Sequence, residues 1–494
     1  MYFPKFNYKV SLIVSIVLLI IGAGLFLTFP KLLRKMIKGQ VNVAPGSKIR
    51  PLYEKTPFFI EFKIRLFNVT NKDEVIEGKK PKLQEIGPYY FEEWKEKFDL
   101  VDNEAEDTLT YHYRNKFIFR PDLSGSLTGD EIITMPHPLI MGMFLAINVD
   151  KQPMLPAIDG AIKNLFHNPA DAFYTGRVMD IMFDGVSIDC SSNDQTTTAI
   201  CLSFDSNKAI RKVDDHHYAF SLFGGTNYTD LGEFKVGRGK SNYRDVGRVI
   251  AFNGETEMDT WDEDECNTYV GTDSTIFPAF MSKEEGIWAY EPSICRSLGA
   301  SYQSKTKYNG IPVLRYEMDM GEDINIKQCF CRDEDTCPPK GTIDLFKCSG
   351  SPMFASLPHF YLADPKLLQG IESGLNPSKE NHGIKMLFEI MTGSPLSAAK
   401  RLQFNLEVKP IEQIELMRNM PDVLFPLFWV EEGVNLGRDF TNQIKNSLFL
   451  MIKIVTIVKW LFIIVGILGS VLSGVMMIMN KQNNSNKVTV PNGR

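Results

Sequence analysis

Eight cysteines and seven histidines are the side chains whose chemistry is most specific in this 494-residue chain. Four of the cysteines, Cys329, Cys331, Cys337 and Cys348, fall in CFCRDEDTCPPKGTIDLFKC. Such a cluster holds either a metal or disulfides. Zinc sites favour repeated cysteine pairs about two to four residues apart, whereas one, five and ten residues separate these four. The loop offers Asp333, Glu334 and Asp335 but no histidine. Cys190, Cys201, Cys266 and Cys295 complete an even set that avoids both chain ends. That distribution fits disulfides in an oxidising compartment.

The histidines, His112, His137, His167, His216, His217, His359 and His382, form no HExxH motif. His216 and His217 lie beside Asp214 and Asp215, but neighbours on an extended chain face opposite ways, so the run reads as a solvated loop. The acidic run Asp262-Glu263-Asp264-Glu265 lacks the alternate spacing of a calcium loop. There is no nucleophile elbow, P-loop or dinucleotide fingerprint. The chain therefore reads as a non-enzyme without cofactor or metal. Its net charge of −6 offers no chain-wide basic surface for nucleic acid.

Two stretches are apolar without interruption. Residues 10–29, VSLIVSIVLLIIGAGLFLTF, and residues 460–479, WLFIIVGILGSVLSGVMMIM, each match the length of a bilayer-spanning helix. The first is too long for a signal peptide and lacks a small-residue cleavage site. Lys5 and Lys9 precede it and Lys31, Arg34, Lys35 and Lys38 follow, so flanking charge does not fix the orientation. The cysteines do, supported by the sequons at Asn68 and Asn227: the middle lies outside and both tails, 1–9 and 480–494, lie in the cytosol. The sequon at Asn483 then stays bare. The tails carry +2 and +3, which leaves −11 on residues 10–479.

The ectodomain, 30–459, must position whatever chemistry exists. Residues 60–66, IEFKIRL, and 402–409, LQFNLEVK, alternate apolar and polar side chains and read as strands with one wet face. Shorter runs at 116–119 and 313–316 lie between turn residues. A large antiparallel sheet or barrel is expected. Leu155, Ile158, Ile162 and Leu165 have helical spacing. Together with 139–147 and the stretch after Asn168-Pro169 they predict an inserted helical unit over 137–188. A second helical piece is expected within 365–400.

The phrases LFNVTN (66–71), EIGPYYF (85–91), GTDSTIFPAF (271–280), SICRS (293–297), QCFC (328–331), SLPHFYLADP (356–365) and KRLQFNLEVKP (400–410) resemble the class B scavenger receptor family, in order and over nearly the whole chain. GETEMDTWDEDECN (254–267) and LTGDEIITMPH (127–137) are most similar to its insect sensory neuron membrane proteins. The resemblance implies an α+β fold: a large antiparallel β-barrel with an apical helical bundle, anchored by two transmembrane helices. It implies the pairings Cys266 with Cys329, Cys295 with Cys348 and Cys331 with Cys337 in a disulfide region over 266–348. Cys190 and Cys201 remain and are paired by elimination. It also implies a continuous apolar tunnel from the helical cap to the membrane. Lys163, with Lys151 and Arg177 as weaker candidates, would capture ligand at the cap. The implied function is that of a co-receptor in the plasma membrane of olfactory sensory neurons, passing lipophilic odorants or pheromones from a soluble carrier toward an odorant receptor. A lipid-uptake receptor of the same family is the alternative. A lysosomal role fits less well, because the C-terminal tail lacks an acidic dileucine signal.

Overall fold

The computed structural model describes residues 7–488 apart from 206, 321–327 and 334–335, and the side chains of 150, 328 and 483–488 are outside it. Lys5, Glu334, Asp335 and Arg494, with the side chains of Asn483 and Lys487, therefore lie outside the described residues. The chain divides into residues 41–435 and a second unit formed by its two ends.

In the larger unit, strands β1 (Ile60–Val69), β2 (Leu83–Asn103), β3 (Thr108–Phe119), β4 (Ile132–Pro136) and β5 (Phe173–Arg177) are followed by β6 (Val186–Asp189), β7 (Ile210–Lys212), β8 (His217–Phe220), β9 (Glu233–Gly237) and β10 (Val249–Phe252). Strands β11 (Ile287–Glu291), β12 (Arg296–Tyr308), β13 (Ile311–Met318), β14 (Thr342–Asp344), β15 (Met353–Ser356), β16 (Ile384–Glu389), β17 (Pro395–Val408) and β18 (Val423–Asn435) complete the set. A 13-stranded sheet runs in the order β10-β9-β3-β2-β1-β18-β17-β16-β13-β12-β11, with β14 and β15 branching from β17. Its edges nearly close. Gly271 and Thr272 lie between them, with Val249 N donating to Gly271 O, Thr272 N to Trp288 O, and Tyr290 N to Thr272 O. Closure of this kind satisfies edge groups that would otherwise be open to pairing with another chain.

The strongest alternating segment is β1, and it sits between β2 and β18 with Ile64 opposite both Tyr89 and Val430. An insert leaves the sheet after β3. It holds helices α1 (Pro138–Asp150), α2 (Leu155–Leu165) and α3 (Gln195–Phe204), and two small sheets, β4-β5 and β6-β8-β7. Leu155, Ile158, Ala161, Ile162 and Leu165 form the buried face of α2.

One helical expectation needs correction and another is met only in part. The stretch after Asn168-Pro169 is strand β5, paired with β4, followed by a single π turn over Asp180–Asp184. His167 and Asn168 have positive φ, which ends the helical run. Within 365–400 only Pro365–Gln369 and Lys379–His382 are helical. Residues 384–389 and 395–400 belong to β16 and β17, because pairing with β13 and β18 outweighs local helical preference.

The end unit consists of two helical segments, Tyr8–Gln40 and Arg438–Gln482, both long and apolar enough to cross a membrane. They pack through small residues. A Cβ on Gly22 would lie 2.8 Å from Ile463, and one on Gly469 would lie 2.2 Å from the Ser15 hydroxyl. The Ser473 and Ser11 hydroxyls bond at 3.0 Å. Close backbone approach and interhelical hydrogen bonds are what hold helices together where the hydrophobic effect is absent.

Candidate functional site

Strand register defines the inner face of the barrel. Phe62, Ile64 and Leu66 stand opposite Glu432, Val430 and Phe428. Lys400, Leu402 and Phe404 stand opposite the same three residues from the other side. Phe91 lies between Phe62 and Phe119. Side chains alternate across a sheet, so these rows share one face. Lys400 on β17 pairs with Glu291 on β11, although β16, β13 and β12 separate those strands in the sheet. The pair therefore crosses the interior.

That interior has two halves. One is aromatic. Phe62 meets Phe117 at 4.7 Å, Phe91 meets Phe119 at 5.1 Å, and Phe404 meets Phe428 at 5.0 Å between ring centroids. Phe183 and Phe223 enter from the insert, reaching Phe91 at 4.7 Å and Phe428 at 5.6 Å. Phe117, Phe119, Phe183, Phe223 and Phe404 are only partly buried, although they face inward or enter from the insert. The same apolar cluster continues into α1 and α2 through Ile140, Phe144, Ile158 and Ile162.

The other half is ionic. Lys95 Nζ lies 2.5 Å from Glu432 Oε1 and 3.6 Å from Glu93 Oε1. The side chains of Lys95, Glu432, Lys400 and Glu291 keep 21, 26, 28 and 21% of their surface accessible. Groups turned into a barrel retain such surface only where the interior has room for water-sized molecules. Burial alone would lower the two lysines, but Glu432 and Glu291 more than offset it and hold both above their ordinary values. Burial likewise acts against Glu291, yet Lys400 draws it down to about 2. Glu93 differs. Its side chain is 2% exposed, and burial, helped by the Glu432 charge and opposed by Lys95, pushes its carboxyl up to about 8.

One row further along β2 the charged side chains are buried and paired. Asp273 Oδ2 accepts from the hydroxyls of Tyr53 at 2.6 Å and Tyr111 at 2.5 Å and from Lys97 Nζ at 2.8 Å. Lys97 and Asp273 are 6 and 1% exposed. Burial lowers Lys97 to about 8 against the pull of Asp273. The expected tunnel wall is thus not apolar throughout. The physical reason is that paired charges satisfy one another across the barrel at a level where β2, β11, β17 and β18 supply both signs. Sequence reasoning passed over these residues because EEWKEK puts charge on both faces of β2. The outer face of β2 and β3 also carries a shallow groove, lined by Trp94, Arg114, Lys116 and Tyr228.

The eight cysteines form four disulfides: Cys190–Cys201, Cys266–Cys329, Cys295–Cys348 and Cys331–Cys337. No thiolate is left for zinc. The first bridge ties the end of β6 to α3. The next two gather a small core in which Trp261 meets Phe330 at 4.9 Å and donates from Nε1 to Cys295 O at 2.7 Å. Asn68 Oδ1 accepts from Thr134 N and Asn227 Oδ1 from Phe117 N.

The three basic candidates of the insert do not converge. Lys163 Nζ bonds Asp159 at 2.7 Å and the Arg177 guanidinium bonds Asp130 at 2.7 Å and Asp180 at 3.0 Å. Lys151 is exposed after α1, without an ion pair among the described residues. Two of the three charges are therefore already compensated.

A family model described as the CD36 family matches residues 13–477. Sensory neuron membrane protein 1 of Anopheles gambiae is 50% identical over 476 residues, covering 95% of this chain and 87% of that protein. The protein of the same name from Apis mellifera is 41% identical over 468 residues, covering 94% and 89%, and that from Bombyx mori is 39% identical over 466 residues, covering 93% and 88%. A match of this length and level, on a nearly closed antiparallel sheet between two apolar terminal helices, shows that the chain belongs to the CD36 family, the class B scavenger receptors.

Proposed function

We propose that this membrane protein is a co-receptor of olfactory sensory neurons that takes up lipophilic odorants or pheromones and passes them through the barrel toward the bilayer and an odorant receptor in the same membrane. The observation that carries the reading is the accessible aromatic interior, continuous with the apolar core of the helical insert. Each buried CH₂ favours transfer from water by about 0.8 kcal/mol, so a walled apolar path moves a poorly soluble molecule without returning it to water. Four disulfides and the sequon asparagines support an extracellular ectodomain with both termini in the cytosol. The Nδ2 atoms of Asn68 and Asn227 make no hydrogen bond among the described residues, which leaves them available for glycans. The insert would receive ligand, with Lys151 the basic group best placed to attract a polar head.

Blocking the interior tests this. Ala398 shares the inward row of Lys400 and Leu402 and is half-buried. In cells that co-express an odorant receptor, Ala398→Trp should reduce responses to a lipophilic odorant about tenfold while surface expression is unchanged. Full responses from a folded, surface-expressed Ala398→Trp protein would remove the conduit.

A further inference from the structure

We propose that Glu93 and Asn115, on the inner face of β2 and β3, form a subsite for the neutral, hydrogen-bonding head of an amphiphilic ligand whose chain lies among the interior phenylalanines. The inference rests on the conduit reading above and names the ligand class for it: long-chain alcohols and esters rather than hydrocarbons or carboxylates.

Three observations converge. First, Glu93 Oε2 and Asn115 Oδ1 are both buried without a hydrogen-bond partner. Such atoms are uncommon, because a buried polar group left unmade is expensive. Lys95 stands opposite Asn115, and Glu93 stands opposite Phe117, so the two atoms belong to adjacent rows of one face. Second, the ions around them are already matched. Lys95 holds Glu432 and Lys400 holds Glu291. Glu93 is the fifth charged side chain, and its remaining contact to Lys95 is 3.6 Å, too long for a hydrogen bond. Burial keeps it protonated near neutral pH, which turns the carboxyl into a donor. Third, the phenylalanines begin in the same row, since Phe117 is the cross-strand partner of Glu93.

The chemistry follows from the atoms. The Glu93 carboxyl donates to a hydroxyl or carbonyl oxygen. Asn115 Oδ1 accepts from a hydroxyl proton. An alcohol uses both groups, and an ester uses Glu93 alone. A carboxylate finds no unpaired cation and meets the oxygens of Glu93, Glu432 and Glu291. A hydrocarbon leaves both polar atoms unmade.

The test uses the purified full chain in nanodiscs and four probes of equal chain length: hexadecane, hexadecanol, methyl palmitate and palmitate. Hexadecanol and methyl palmitate should bind about tenfold tighter than hexadecane, the difference expected of one buried hydrogen bond. Glu93→Leu should abolish that advantage for both and leave hexadecane unchanged. Glu93→Gln keeps a donor and should stay within about threefold of the native protein. Asn115→Leu should weaken hexadecanol and spare methyl palmitate, and this holds the test open should Glu93→Leu fail to fold. Binding of all probes with no effect of these variants overturns the subsite and leaves the conduit standing. A preference for palmitate also overturns it. Failure of every probe to bind overturns the conduit reading itself.

Discussion

The two halves of the barrel interior are built from the same strands and solve different problems. On β2, Phe91 lies in the aromatic half, and Glu93 and Lys95 in the ionic one. The aromatic half is held by ring contacts of 4.7–5.6 Å that draw in Phe183 and Phe223 from the insert. The ionic half is held by the crossing pair of Lys400 and Glu291 and by Lys95 with Glu432. Apolar packing tolerates a range of hydrocarbon shapes, because dispersion is not directional. Ion pairs in an enclosed space hold fixed positions and leave the Glu93 and Asn115 oxygens without a protein partner. An interior with both can accept a chain at one level and read its head at another.

The largest expected effect lies in the packed part of the aromatic half. Phe62 is 6% exposed, and Phe62→Ala should lower unfolding free energy by about 3–5 kcal/mol. Phe404→Ala, at a wall that keeps accessible surface, should lose about half as much. Equal losses from the two variants would mean that the interior is packed solid there. Thermal unfolding of the full chain in detergent gives both values.

In the ionic half, Lys400→Met removes one end of the crossing pair and should destabilise by about 2–4 kcal/mol, because Glu291 is left enclosed and uncompensated. The double variant Lys400→Met with Glu291→Leu should recover most of that loss. A double variant no better than the single would show that the lysine acts by packing alone.

An effect that is small near pH 5 and grows with pH belongs to Glu93. Its carboxyl is raised from an ordinary 4.5 to about 8. The folded chain therefore holds a proton that the unfolded chain releases between those values. The stability this contributes is full below pH 4.5 and is lost as pH rises through about 8. Lys95, Lys400, Glu432, Glu291 and Tyr113 face the same space, and the Lys97 side chain beyond them titrates near the same pH. Comparison of Glu93→Gln with the native chain cancels those groups. The variant should match native stability within about 1 kcal/mol at pH 5 and exceed it by roughly 4–5 kcal/mol at pH 9. Equal pH profiles for the two proteins would place an ionised carboxylate at this position.

Much of this architecture is legible in the chain. The alternation of IEFKIRL specifies β1, and both terminal helices announce themselves by length and apolarity. The ionic layer is not legible. Lys400 and Glu291 are 109 residues apart, and nothing local says that their strands face each other across a lumen. In EEWKEK charge falls on both faces of the strand, so nothing local marks which side turns inward. Phe183 and Phe223 sit in a π turn and a loop, without periodicity to mark them. The helical piece expected within 365–400 is confined to two short helices, because the strand identity of 384–389 and 395–400 depends on partners at β13 and β18.

The most direct test of an accessible, ligand-holding interior is photolabelling of the full chain in nanodiscs with a long-chain alcohol that carries a diazirine at mid-chain. Peptide mapping should place the label on Phe117, Phe183, Phe223 or Phe404, and excess unlabelled hexadecanol should compete it away. Label confined to residues 8–40 and 438–482, as for a molecule that merely partitions into lipid, would contradict a conduit through the barrel.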